Sequence, residues 1–312
     1  MAMYIDTHHH ILPPFYMDAI GKDAIFAGLP SFTWTLEQDL ESMDYNGIAR
    51  AVVSISNPGI ALKDGKKAAA IARRCNDYIK QMITDHPDRF DGFAAMPMPD
   101  VMAALDEIKY AFDRLNLAGI GLLTNYEGMY LGDPHFDPIL AELDARNAVV
   151  FVHPTRSPHP PLDSLVPPPL VEFPHDTMWA IASMISRGAF SKYSGIQFIF
   201  AHAGGTMLSI GARFQIWKDP HGIAAIDLLK HCWFDLALSA TPATVPILIN
   251  FVGSSQVLFG SDLPFVPEPF LTPMVAYLNT LEIGQPDLFR VIQRDNATEL
   301  FSSLAKRWTN QV

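Results

Sequence analysis

Cysteine is scarce in this 312-residue chain: only Cys75 and Cys232 are present. Two thiols cannot build a disulfide framework or a cysteine-rich zinc site. Basic residues are outnumbered, 22 against 33 acidic ones, for a net charge of −11. That balance argues against general nucleic-acid binding, which needs a basic surface. It leaves room for an anionic small substrate, because local charge can oppose net charge. Neither a basic-then-apolar leader nor an apolar run of membrane-spanning length occurs. A soluble cytoplasmic protein with no membrane partner is therefore expected. No G-x-G-x-x-G follows a candidate strand, which disfavours an open dinucleotide-binding sheet. Only 18% of residues are charged and 49% are hydrophobic. That composition suits a large core and a buried subunit interface.

What the chain does have is a series of apolar, β-rich runs. They cover residues 3–6, 48–56, 90–96, 119–124, 148–153, 196–202, 232–238 and 256–262. Several are continuously apolar, as parallel strands covered by helices are. Helical spacing fills the gaps, for example in "TLEQDLESMDYNG", with Thr35 as its N-cap and Gly47 at its end. Eight strands alternating with helices predict a (β/α)₈ TIM-type barrel, one domain over residues 1–312. Two strand-to-helix segments exceed ordinary loop length, residues 11–32 and 154–174. The second holds eight prolines and reads as a semi-rigid wall. Both fall on the barrel face that carries active sites.

"MYIDTHHHIL" places three histidines directly after the first strand. The run is too short for a purification tag and is flanked by strand and turn residues. In a strand, His8 and His10 share a face and His9 points away. Two imidazoles can take one metal ion, and further ligands must come from elsewhere. The other strand ends supply candidates: His153 in "VVFVHPT", His202 in "FIFAHAGG" and Asp262 in "LFGSDLPF". Each histidine alone reads as structural. Five such residues ending apolar strands on one predicted face read as a metal site. His86, His135, His159, His175, His221 and His231 lack this placement and read as surface or packing residues.

"IDTHHH", "VVFVHP", "AHAGG" and "FGSDLPF", in this order, resemble the decarboxylase branch of the amidohydrolase superfamily. Aminocarboxymuconate-semialdehyde decarboxylase is its familiar member. "LLTNYEGMYLGDPHFDPILAELDARNAVVFVHPT" further resembles 6-methylsalicylate decarboxylases. The resemblance covers nearly the whole chain. It implies that the H-x-H motif falls on His8 and His10, that His153 and Asp262 are also metal ligands, and that His202 is an acid/base beside them. It implies that Arg213, eleven residues after His202, reaches a neighbouring subunit's site and binds substrate carboxylate. A surface helix charge is the alternative for Arg213. No lysine ends any of the eight runs, whereas two-metal members use a carboxylated lysine bridge. One divalent ion is expected, Zn²⁺ first and Mn²⁺ second, with no organic cofactor.

The chemistry so implied is non-oxidative decarboxylation of a small aromatic or dienoic carboxylic acid. Its proton would be moved by His202 or Asp262. A hydrolase of a lactone or amide could use the same residues. Phe15, Tyr16, Tyr126 and Phe265 are candidate substrate walls, with barrel-top packing as their alternative. A homodimer, or a dimer of dimers, is expected around the segment after "HAGG".

Overall fold

Eight parallel strands follow one another around a barrel, each hydrogen-bonded to the next in chain order. They are β1 (Tyr4–His10), β2 (Ile48–Ser54), β3 (Phe90–Ala94), β4 (Gly119–Leu123), β5 (Val149–His153), β6 (Gln197–Phe200), β7 (Trp233–Asp235) and β8 (Val257–Leu258). This computed structural model describes residues 4–158, 166–302 and 304. The chain just after β8 completes the ring against β1. Thr7 N–H donates to the Phe259 carbonyl at 3.0 Å, and His10 N–H to that of Leu263 at 2.7 Å. The predicted (β/α)₈ architecture is the observed one.

The strands are apolar on both faces because both faces are buried. Inside the barrel, Val52, Phe93, Phe151, Ile199 and Leu258 fill the axis, and Phe301 and Leu304 join them. Phe93 and Phe151 stack with centroids 5.3 Å apart. Between strands and helices lies the larger apolar layer, which includes Val53, Ile79, Ile108, Leu140 and Ile181. The helix Leu36–Tyr45 begins as expected, with Thr35 Oγ1 accepting from Gln38 N–H at 3.2 Å.

The two long segments differ from their expected form. Residues 11–32 contain two short helices, Pro14–Ile20 and Lys22–Phe26. The first starts with proline at its first helical position, where no N–H is needed. Proline also opens the helix Pro168–Ser186, which runs on through Pro174. The proline-rich connection is therefore shorter than its composition suggests. Residues 159–165 of it, His159 included, lie outside the described residues. A last helical stretch follows, Pro286–Arg290 and Asn296–Leu300, with a π-helical turn at Val291–Asp295 between them. Residues 305–312 of that segment lie outside the described residues. No helix among the described residues is long and apolar enough to cross a membrane.

Candidate functional site

β1 carries the histidine triplet, and all three rings are fully buried. Its pairing with β2 is irregular between Asp6 and His9, where three steps along β1 match two along β2. The extra residue is a bulge, which re-aims side chains at a strand end. His8 and His10 point together into the barrel mouth, with Nε2 atoms 3.0 Å apart. His9 points elsewhere. Its Nδ1 contacts Asp6 Oδ2 at 3.0 Å and its Nε2 contacts Asp39 Oδ2 at 3.0 Å. Asp6 and His9 would lie on opposite faces of a regular strand; the bulge brings them together. Burial opposes a charge on His9, but Asp39 and Asp6 outweigh it and raise its pKa.

Asp262 follows β8 and faces the two inward histidines. Its Oδ1 lies 3.3 Å from His8 Nε2 and 3.2 Å from His10 Nε2. His153, at the end of β5, completes a group whose ligand atoms all lie within 4.8 Å of one another. His202 follows β6, with Nε2 4.0 Å from Asp262 Oδ2. The structure thus brings His8, His10, His153, His202 and Asp262 together. Both His202 and Asp262 have left-handed backbones, φ +55° and +60°. Such conformations are uncommon outside glycine and cluster at functional sites.

Each of the four imidazoles is pinned through Nδ1. His8 Nδ1 pairs with Asp235 Oδ2 at 3.0 Å, His10 with Ser54 Oγ at 2.8 Å, His153 with the Pro154 carbonyl at 2.7 Å, and His202 with the Ala237 carbonyl at 3.0 Å. The three partners other than Asp235 are neutral. With the proton on Nδ1, every Nε2 presents a lone pair to the centre. Lone pairs 3.0 Å apart repel unless a metal ion or a shared proton lies between them. Burial opposes charge on His8, yet Asp235 and Asp262 raise its pKa; burial lowers those of His10 and His153. Burial also opposes charge on Asp262, but His8, His10 and His202 hold its carboxyl well below the usual range. The cluster is built around positive charge. Three imidazole nitrogens and one carboxylate oxygen fit a single divalent ion of the zinc or manganese type.

Asp235 is the residue that strand-end reading missed. It ends β7 at zero exposure. Besides holding His8, its Oδ1 accepts the backbone N–H of His202 at 3.2 Å and of Ala237 at 3.0 Å. A carboxylate inside the apolar run "CWFDLAL" was the available signal. Asn57 was not singled out either; its Oδ1 accepts from Thr155 Oγ1 at 2.6 Å.

Above the cluster opens a cavity of about 550 Å³, with His153, His202, Asp262 and Asn57 in its lining. Phe265 lines it, 5.6 Å from the His10 ring. The remaining expected wall residues are elsewhere. Phe15 packs against Tyr78 and beneath Arg74. Tyr16 is buried and donates to the Gly59 carbonyl at 3.0 Å. Tyr126 lines a narrow second cavity that also reaches His153, and its hydroxyl accepts from Leu123 N–H at 2.8 Å. Phe26, Phe32, Phe173 and Phe270 take their place. Arg213, in the short helix Gly211–Phe214, is exposed and is not among the lining residues of its own chain.

The chain and its fold have counterparts among known proteins. The chain is 33% identical to the 6-methylsalicylic acid decarboxylase of Penicillium expansum, over 96% of this chain and 96% of that protein. A crystal structure described as an amidohydrolase II superposes with a TM-score of 0.89 at 28% identity, covering 96% of this chain and 99% of the other. The dihydroxybenzoic acid decarboxylase of a Polaromonas species, solved with bound manganese and 2-nitroresorcinol, has a TM-score of 0.83. It is 21% identical over 99% of this chain and 100% of its own, which shows a shared fold. The family model described as amidohydrolase matches residues 5–302. A barrel whose strand ends gather these imidazoles and this carboxylate over nearly the full matched length belongs to the amidohydrolase family.

Proposed function

We propose that this protein is a metal-dependent, non-oxidative decarboxylase of a small aromatic carboxylic acid, salicylate-like in the first instance. The observation that carries it is the position of the four-donor group and His202 at the base of an apolar cavity. Similarity to a 6-methylsalicylic acid decarboxylase over nearly the whole chain supports the same reading.

His8, His10, His153 and Asp262 would hold one divalent ion, Zn²⁺ first and Mn²⁺ second. When bound, the ion supplies positive charge for a phenolate and the adjacent carboxylate. Asp262 faces two ways: Oδ1 toward His8 and His10, Oδ2 toward His202. His202 keeps Nδ1–H on the Ala237 carbonyl, so Nε2 is the atom that exchanges a proton. Burial lowers its pKa, so the ring is neutral at neutral pH. His202 Nε2 takes the proton that the substrate's phenol gives up on becoming a phenolate, and His202 or Asp262 delivers that proton to the carboxyl-bearing carbon. The bond from that carbon to the carboxylate then breaks. Its electron pair restores the ring, and CO₂ leaves. Phe173 and Phe265 keep water from the ring.

The carboxylate still lacks a cationic side chain, since no lysine or arginine is among the described residues that line the cavity. Arg213 of a second subunit would supply it, in a homodimer or a dimer of dimers. The experiment is CO₂ release from 6-methylsalicylate by the metal-loaded protein, run beside a panel of lactones and amides. Equal amounts of CO₂ and 3-methylphenol are expected. Hydrolysis of a lactone or amide with no CO₂ from any acid would overturn the reading.

A further inference from the structure

The cavity is larger than a single ring requires, and it is polar at one end. An apolar cavity of about 150 Å³ suffices to bind benzene, while this one encloses about 550 Å³. Among the described residues, and apart from Ser31, the polar lining groups all belong to the barrel-mouth cluster or to Ser56 and Asn57. Beyond Phe265 the wall continues through Phe26 and Phe32, whose rings lie 6.0 and 5.9 Å from it. The rim is formed in part by Leu170 and Phe270, each 63% exposed. Large apolar side chains left open along the continuation of a binding cavity mark a surface that an apolar group covers. Ionic or hydrogen-bonding groups placed there would lose water and gain no partner.

We infer that the substrates of this site carry an extended apolar substituent, an alkyl chain of several carbons, on the ring that bears the carboxylate. The ring sits against Phe265 with its carboxylate at the four-donor group. The chain runs along Phe26 and Phe32 to Leu170 and Phe270. This rests on the decarboxylase reading for the ring and its acid, and adds the chemistry of the opposite end.

The test uses the metal-loaded full chain and a series of 6-alkylsalicylates with methyl, propyl, pentyl and heptyl groups. CO₂ release gives kcat/KM. Calorimetry with the matching 3-alkylphenols gives affinity independently of turnover. Each buried methylene contributes roughly a fourfold gain, so kcat/KM and phenol affinity should both climb from methyl to pentyl. Phe270→Ala and Leu170→Ala should each reduce the pentyl-to-methyl ratio. A kcat/KM that peaks at methyl and falls with length would overturn the inference while leaving the decarboxylase reading intact. No CO₂ from any acid, with phenol affinity still rising along the series, would remove the decarboxylase reading and uphold the apolar end. Phenol affinity that does not rise with chain length would overturn the inference outright.

Discussion

Asp262 holds His8 at two points. Its backbone N–H donates to the His8 carbonyl at 2.8 Å, and its Oδ1 lies 3.3 Å from His8 Nε2. The strand that opens the barrel and the segment that closes it are thus fastened where the site is assembled. Gly260 permits the close approach. A Cβ there would meet His8 Cβ at 2.8 Å, Asp235 Oδ1 at 3.0 Å and Asp235 Cβ at 3.1 Å. Gly260→Ala should cost about 1–3 kcal/mol through overpacking and lower metal content below one ion per chain. Thermal unfolding and elemental analysis check this. A variant with unchanged melting and full metal would show that the approach is not needed.

The His9 prediction separates structure from ligation. His9 is a buried cation between Asp6 and Asp39. Without it, Asp39 and Asp6 are two buried carboxylates with no cation between them, Asp6 keeping the His8 and Ser261 N–H groups and the Ser261 hydroxyl, at a cost of about 3–5 kcal/mol. His9→Ala should therefore melt well below the parent yet still bind close to one ion per chain. His8→Ala should lose the ion. The reverse pattern would mean that the assigned register of β1 is wrong.

Asp235 is expected to act on the metal through His8. Second partners of metal-bound histidines fix ring orientation and typically contribute about 10–100-fold in metal affinity. Asp235→Asn keeps the shape and loses the charge. Competition against a coloured chelator should show weakening within that range. An affinity equal to that of the parent would make Asp235 only a support for the backbone N–H groups of His202 and Ala237.

The sequence exposed what was local and hid what was not. Apolar runs ending in histidine or aspartate mark strand ends directly, so His8, His10, His153, His202 and Asp262 could be grouped before any fold was seen. The partners that orient them come from other strands. Asp235 holds His8 from β7 and Ser54 holds His10 from the neighbouring β2, and no spacing rule reports such pairings. Helix structure after β1 was masked by Pro13 and Pro14, which read as a turn although Pro14 opens a helix. The aromatic wall was misplaced for the same reason. Phe15 and Tyr16 face the barrel's own helices and loops, whereas Phe26 and Phe32, farther along the same segment, reach the cavity.

His202 is expected to be dispensable for metal and necessary for turnover. Its Nε2 is 4.0 Å from Asp262 Oδ2. A positioned acid/base contributes about 10²–10⁴-fold. His202→Ala should hold its ion and lose turnover by that factor, read as CO₂ release at saturating acid. Near-normal turnover in a metal-replete variant would remove His202 from the mechanism.

Arg213 tests whether the site is shared between subunits. It is exposed on its own chain, and no lysine or arginine is among the described lining residues of the cavity. An arginine arriving from a neighbour would meet the substrate carboxylate where the described lining residues offer no cationic side chain. Arg213→Ala should then raise KM and leave metal content unchanged. Mixing Arg213→Ala subunits with His202→Ala subunits should restore activity at an acid concentration far below the raised KM, where each parent alone turns over little. In a mixed dimer one site has its own His202 and receives the partner's intact Arg213, while the other site lacks both. Random pairing therefore recovers at most about a quarter of the parent activity. A fully active monomer in sedimentation, or no recovery after verified subunit exchange, would place Arg213 on the surface with no part in the site.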